Sequence, residues 1–359
     1  MAASEFVAKR PLVSVVVPAR NEEICLGRCL RSLVAQQAVA FEIIVVDDES
    51  TDRTREIAQS FPGVRIVDAG PVPPGWTGKN NAVWAGTKQA RGTWLLFTDA
   101  DTVHLPGSLA RSVAEAQQHG AALLSYSPQQ EVRGFWEKAV MPVIFAELAE
   151  TYRPSQVVDP ASPVAAANGQ YLLISREAYD AVGGHAAVGT SLLEDVALAR
   201  RVKASSRKIW FRYGPDAART RMYRSFAQLQ EGWTKNLALL FPSLVRLAVL
   251  RLTEFVLIVG SAIAAVSEGV RGQTAPAIAG GVLAVMLIAL QQKRIRTAHF
   301  AWDANVLSLI GLLLFSYLLL RSQRFHKLGK LTWKGRRAHV GVDALDCPAE
   351  RSSPERLSA

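Results

Sequence analysis

The sequence has only three cysteines in 359 residues: Cys25, Cys29 and Cys347. That is too few for a disulfide framework, and no histidine or further cysteine near them completes a zinc set. Cys25 and Cys29, four residues apart, read as packing residues of a helix in a reducing compartment. The usual glycine-rich phosphate cradles are missing as well. No G-x-G-x-x-G follows the first apolar run and no G-x-x-x-x-G-K-[ST] occurs, which excludes a Rossmann-type dinucleotide loop and a P-loop. If a nucleotide binds, something else must neutralise its phosphates. Met1 to Arg10 lacks the apolar core of a signal peptide, so the N-terminal part is expected to stay in the cytoplasm.

Charge of one sign is in excess. Lysine and arginine number 41 against 31 acids, a formal net charge of +10. No zinc finger, nucleic-acid motif or interleaved aromatic and basic stretch accompanies it, so no nucleic-acid partner is expected. Mean hydropathy is +0.12, and the apolar residues concentrate after about residue 237, where basic charge is also heavy. An anionic lipid bilayer is the partner that suits both.

Strands and helices alternate through the first hundred residues. Apolar, β-branched runs at 12–17, 41–46, 64–67 and 94–97 read as buried strands. Helices are expected from Asn21, as N-cap, through Ile24, Leu26, Leu30, Leu33 and Val34, at 52–60 with Ser50 or Thr51 as cap, and at 79–90. This is the pattern of a doubly wound, mostly parallel α/β sheet. Further helices are expected at 106–119, 134–152, 193–203 and 225–240, and strands at 122–126, 168–174 and 209–213. The helix at 134–152 either packs in a core or lies flat on a bilayer.

Three hydrophobic segments follow, at 252–266, 276–290 and 304–320. Each is short against the roughly 20 residues of a perpendicular span. Lys293, Arg294 and Arg296 follow the second; Arg321, Arg324, Lys327 and Lys330 follow the third. The positive-inside rule wants both clusters on the cytoplasmic side. Three full spans from a cytoplasmic domain would separate them, so one segment is expected to be interfacial or re-entrant.

The chemistry concentrates at strand ends. Asp99-Ala100-Asp101 follows the run Trp94 to Phe97, where an open α/β sheet presents its ligand crevice. Two neighbouring carboxylates repel each other, and a hard divalent cation, Mn2+ or Mg2+, relieves that. The alternative is a solvated acidic turn. Asp48 ends the second strand, as an acid that reads a ribose or base does. Lys79, at a helix start, suits a phosphate or base carbonyl, or is a plain exposed lysine. Asp195 stands at a helix N-terminus, either as dipole compensation or as a general base. His104 either extends the metal turn or is an ordinary loop histidine.

Together these stretches resemble the family 2 glycosyltransferases. The resemblance is carried, in order, by Val-Val-Pro-Ala-Arg-Asn-Glu-Glu (16–23), Val-Asp-Asp-Glu-Ser-Thr-Asp (46–52), Gly-Lys (78–79), Asp-Ala-Asp (99–101) and Glu-Asp (194–195), and it covers about residues 12–236. It implies a GT-A fold, a nucleotide-diphospho-sugar transferase with a mixed, doubly wound sheet. By resemblance, Pro18, Ala19, Arg20 and Glu22, with Asp48, Lys79 and Asp99, hold the nucleotide of a UDP-sugar donor. Asp101, with Asp99, holds the metal, and Asp195 is the base of an inverting transfer. A narrower resemblance, to bacterial transferases associated with hopanoid and carotenoid pathways, rests on Gly-Trp-Thr-Gly-Lys (75–79), Gly-Gly-His (183–185), Glu-Asp-Val-Ala-Leu-Ala (194–199) and Trp-Lys-Gly-Arg (333–336). Glu194, His185, Trp233 and Lys235 are the acceptor-side candidates, with packing as the alternative for Trp233. The Q-x-x-R-W signature of processive members is lacking; after Gln228 the chain has Trp233 but no Arg-Trp pair. That favours transfer of one sugar over polymer synthesis.

The expected organisation is a cytoplasmic GT-A domain over 1–236, a membrane region over 237–325 with about three hydrophobic helices, and a basic, disordered tail over 326–359. The expected function is a multi-pass inner-membrane enzyme that moves one sugar to a lipid hydroxyl. The alternatives are transfer to polyprenyl phosphate and a non-catalytic membrane scaffold.

Overall fold

The computed structural model describes residues 12–333 and 336–337. In chain order its first half runs β1 (Val13–Ala19), α1 (Leu26–Val34), β2 (Phe41–Asp47), α2 (Thr54–Gln59), β3 (Val64–Asp68), α3 (Gly78–Gln89), β4 (Trp94–Phe97), β5 (Thr102–His104), α4 (Ser108–His119), β6 (Leu123–Ser127) and β7 (Gln129–Gln130). The second half runs α5 (Phe135–Thr151), α6 (Pro154–Val158), β8 (Leu172–Ser175), α7 (Arg176–Ala181), α8 (Glu194–Ala204), β9 (Ile209–Tyr213), β10 (Ala218–Thr220), α9 (Phe226–Leu240), α10 (Leu244–Val270), α11 (Thr274–Ile295) and α12 (Trp302–Lys327), then β11 (Thr332–Trp333) and β12 (Arg336–Arg337). Chain contacts divide it into two units, 12–130 with 154–221 and 131–153 with 222 onward. The sequence reading put its boundary at 236.

In the first unit a seven-stranded sheet has the order β3-β2-β1-β4-β8-β6-β9. β1 pairs in parallel with both β2 and β4, while β8 runs antiparallel to β4 and β6. The sheet is therefore mixed. β1 is an interior strand, and Val13, Val15, Val16 and Val17 are fully buried, as a parallel strand covered on both faces requires. Leu26, Leu30 and Leu33 of α1 join the same core. The chain steps from β1 outward to β2 and β3, then returns to the other side of β1 for β4. That reversal separates the C-terminal ends of β1 and β4 and opens a crevice there. A small second sheet, β5-β10-β7, follows the Asp99-Ala100-Asp101 turn.

Several local expectations are corrected. Asn21 is not an N-cap: α1 begins at Leu26, and Asn21 takes a left-handed φ of 53°. Its side chain instead accepts from the Thr51 N–H at 2.8 Å, while its own N–H donates to Ser50 Oγ at 3.1 Å. The loops after β1 and β2 are thus tied together, which explains why Ser50 and Thr51 do not cap α2. Asp52 accepts from the Thr54 N–H there instead, at 2.9 Å. Ile24, lying before α1, is 67% exposed rather than packed.

The second unit has its own core, in which Val140 and Ile144 of α5 meet Trp233 and Leu237 of α9 and Phe315 of α12. A Cβ on Gly311 of α12 would lie 1.9 Å from the Ala139 carbonyl oxygen, so only glycine permits this contact with α5. Of the two readings of 134–152, core packing is therefore the observed one. α10, α11 and α12 are long and apolar enough to cross a membrane. All three outrun the short segments read from the sequence, and for α10 and α11 the flanking Arg251 and Arg294 are paired inside the unit. Glu147 of α5 meets Arg251 and Arg294, and Glu254 meets the same two arginines. The tail expected from residue 326 is partly ordered: α12 runs to Lys327, and β11 and β12 pair. The rest of that tail, 338–359 with Cys347, lies outside the described residues, as do Lys334 and Gly335 of the 333–336 motif.

Candidate active site

The crevice between the ends of β1 and β4 gathers residues from across the sequence. Pro18, Lys79, Phe97, Thr98, Asp99, Gly169, His185, Glu194 and Asp195 line one cleft, with about 270 Å³ of empty space that includes open solvent. Pro18 comes from β1 and Asp99 follows β4. Lys79 comes from the first turn of α3, and Glu194 with Asp195 opens α8.

Lys79 is the hub. Its Nζ lies 2.8 Å from Asp99 Oδ1 and 2.7 Å from Glu194 Oε1. Burial works against its charge, but Asp99, Glu194 and Asp195 outweigh that and hold the ammonium well above the usual lysine range. Asp195 has a different environment. The Gly169 N–H donates to its Oδ2 and the Val196 N–H to its Oδ1, both at 2.8 Å. Burial pushes its carboxyl up to about 6; Glu194 adds to the rise, and Lys79 and the two N–H donors oppose it. A carboxyl placed there accepts a proton near neutral pH more readily than a free aspartate.

Two positioning residues were not found from sequence. Gly169, in Asn168-Gly169-Gln170 just before β8, works through its backbone N–H, which leaves no mark in a side-chain pattern. A Cβ there would lie 3.1 Å from Lys79 Nζ and 3.5 Å from both Asp195 Oδ2 and Glu194 Oε1. Gly169→Ala is expected to cut kcat about tenfold, the effect of disturbing one hydrogen bond to a charged group, with an unchanged unfolding midpoint as the control. Asn80, next to Lys79, is fully buried, and its Nδ2 donates to the carbonyls of Val188, Gly189 and Ser191, each at 2.9 Å. It fastens the segment that precedes Glu194 to the helix that carries Lys79. The only sequence signal was a pair of asparagines in a first helical turn.

The other candidates take up these positions. Arg20 Nη1 donates to the Asp48 carbonyl at 2.7 Å, and the Asp48 N–H donates to the Ala19 carbonyl at 2.9 Å. These three stand at the neighbouring ends of β1 and β2. The Glu22 N–H donates to Thr54 Oγ1 at 2.7 Å. His185 is buried with Nδ1 3.0 Å from the Tyr179 hydroxyl, which also accepts its backbone N–H. Burial pulls its pKa down to about 4, so the ring is neutral. His104 packs against Tyr171 with Nε2 3.0 Å from Thr98 Oγ1, and burial pulls it down to about 3. It is a core residue and does not extend the acidic turn. Trp233 and Lys235 belong to the helical unit. Trp233 is 2% exposed and donates its indole N–H to Met141 Sδ, so packing is the role observed. The Lys235 carbonyl lies 2.9 Å from His326 Nε2.

Among the described residues no group of three or more His, Cys, Asp or Glu side chains is arranged to hold a metal. The chain does offer Asp99 and Asp101, both partly exposed and one residue apart at the mouth of the crevice. Two hard carboxylates suit a Mg2+-like ion that takes its remaining ligands from substrate phosphates and water.

The mixed sheet and its switch-point crevice resemble the GT-A fold. The mannosyltransferase PcManGT of Pyrobaculum calidifontis, solved in complex with GDP-Man and Mn2+, has this fold. The likeness has a TM-score of 0.52 at 17% identity and covers 89% of this chain and 88% of that one. Residues 14–183 match the model described as Glycosyl transferase family 2. Curated relatives include the 4,4'-diaponeurosporenoate glycosyltransferases of Staphylococcus aureus strains USA300 and MRSA252. Each is 32% identical over 235 residues, 63% of this chain and 60% of the relative's length. The chain thus matches less than two thirds of those relatives.

Proposed function

We propose that the protein is a membrane-bound inverting glycosyltransferase that moves one sugar from a UDP-sugar to the hydroxyl of an apolar lipid, hopanoid- or carotenoid-like. The observation that carries this reading is the cluster of Lys79 with Asp99, Glu194 and Asp195 in the switch-point crevice. Asp48 with Arg20, and Pro18 beside them, form the nucleoside side. Lys79 meets the negative charge of the diphosphate. Asp195, held by two backbone N–H groups, takes the acceptor's proton as its oxygen attacks the anomeric carbon opposite the leaving nucleotide. Asp101 and Asp99 would hold a divalent ion, which when bound supplies positive charge for the leaving diphosphate. The apolar helices, and the printed name of the curated relatives, favour a lipid acceptor.

The test is transfer by the full chain in native membranes, with labelled UDP-sugars and a lipid extract, with and without Mn2+. Metal-dependent transfer to a lipid-soluble product is expected. No hydrolysis or transfer with any common nucleotide sugar would end the enzyme reading in favour of a scaffold. Asp101→Ala is expected to lower turnover by about 10² or more, the scale of removing charge stabilisation from a transition state, with thermal unfolding unchanged. Near-normal transfer by that variant would mean the site is centred on the wrong residues.

A further inference from the structure

We propose that only α10 and α11 cross the bilayer, as a hairpin, and that α12 is not a third span but has both its ends at the base of that hairpin. The base is marked by charge. Arg294, near the end of α11, lies 2.8 Å from Glu254, ten residues into α10, and Arg251 lies 2.9 Å from Glu147. From Glu254 to the end of α10 at Val270 is about 25 Å at 1.5 Å per residue, close to a hydrocarbon thickness of about 30 Å.

The first turns of α12 meet the end of α11. Gln292 Nε2 donates to the Asn305 carbonyl at 3.0 Å, and Gln291 Nε2 donates to Ser308 Oγ at 2.9 Å. Its later turns meet the start of α10 and then α9. Ser316 Oγ donates to the Ala248 carbonyl at 3.0 Å, Arg321 Nε to Thr234 Oγ1 at 3.1 Å, and the Ala238 N–H to Ser322 Oγ at 3.0 Å. His326 Nε2 sits 2.9 Å from the Lys235 carbonyl. α9 precedes α10, so it lies on the side from which α10 sets out. A third span would have to carry residues 316–326 across the bilayer, away from groups they touch.

Burial separates the helices in the same way. Half of the apolar window of α12 is buried in protein, against 6% for α10 and 11% for α11. The hairpin instead exposes Ile263, Val266, Ile278, Val282, Val285 and Met286, the surface that acyl chains cover. Charge agrees. Lys293, Arg294 and Arg296 and the cluster Arg321, Arg324, Lys327 and Lys330 then share one side, as the positive-inside rule requires. The occupant of the hairpin surface is therefore lipid, with anionic headgroups at the basic base.

The test is cysteine labelling in the full chain with Cys25, Cys29 and Cys347 changed to Ala. Single cysteines are placed at the exposed positions Ser60, Gly272 and Leu328. A membrane-impermeant maleimide is applied to cells with an intact inner membrane and again after lysis; label after lysis shows that each variant is made and inserted. Leu328→Cys is expected on the same side as Ser60→Cys, with Gly272→Cys on the other. The proposal is overturned if Leu328→Cys shares the side of Gly272→Cys, or if all three share one side. The readout is label rather than turnover, so its failure is distinguishable from failure of the transferase reading.

Discussion

Asp195→Asn is expected to lower kcat for a hydroxyl acceptor by about 10³, within the 10²–10⁴ that a positioned general base contributes, with little change in the donor's KM. The amide keeps the shape of the carboxylate but cannot take a proton. It also replaces one of the two acceptors used by the Gly169 and Val196 N–H groups, at a cost of about 1 kcal/mol in stability. A denaturant midpoint therefore accompanies the rate measurement. In the unsubstituted protein the same group sets the acid limb of the pH–rate profile. The base acts when deprotonated and its carboxyl is raised to about 6 in the free protein, so kcat/KM rises as pH passes upward through about 6 and levels off above it. Stability follows the opposite sign: a raised carboxylate favours the folded state while protonated, and that contribution is lost as pH climbs from about 4 to 6. An acceptor that is already anionic, such as polyprenyl phosphate, needs no base. Near-normal turnover by Asp195→Asn, with no acid limb, would select that acceptor class over an alcohol.

Lys79→Met is the second large effect. It keeps most of the side chain's length and removes a cation that Asp99 and Glu194 both approach within 3 Å. Three carboxylates then face one another without it. kcat/KM is expected to fall by about 10²–10³, the scale of removing one preorganised charge stabiliser. The diagnostic is the pH profile of the remaining activity. Lys79 pulls the Asp195 carboxyl down, so its loss moves the acid limb above pH 6. A profile with an unmoved limb would show that Lys79 acts on the donor alone, without coupling to Asp195.

The parts of this site legible in the sequence were those that act through side chains at element ends. Asp48, Asp99 and Lys79 stand where a strand or a loop gives way to the next element, and the apolar runs mark those ends plainly. The illegible parts act through backbone or through distant partners. Gly169 contributes an N–H and an absent Cβ. Asn80 spends its amide on three carbonyls more than a hundred residues away. The caps were misread for a related reason: Asn21 and Thr51 bond to each other across two loops rather than to their own helices. The first two apolar segments were cut short because Arg251 preceded one and the charges at Lys293 and Arg294 followed the other. Only the folded unit reveals that Arg251 and Arg294 are paired with Glu147 and Glu254.

The packing between α10 and α11 bears on how this part of the chain tolerates change. A Cβ on Gly280 would stand 3.2 Å from Ala265 Cβ and from the Ser261 carbonyl oxygen, and one on Gly269 would stand 3.8 Å from Ala277. The two backbones are held close by a handful of small residues, and few other side chains in their apolar windows are buried. Outward positions answer only to lipid, which distinguishes apolar from polar but hardly one aliphatic shape from another. The hairpin is therefore a lightly encoded element. Its outer residues are free to drift among Leu, Ile, Val and Met, while the seam at Gly280 and Ala265 carries most of its structural information.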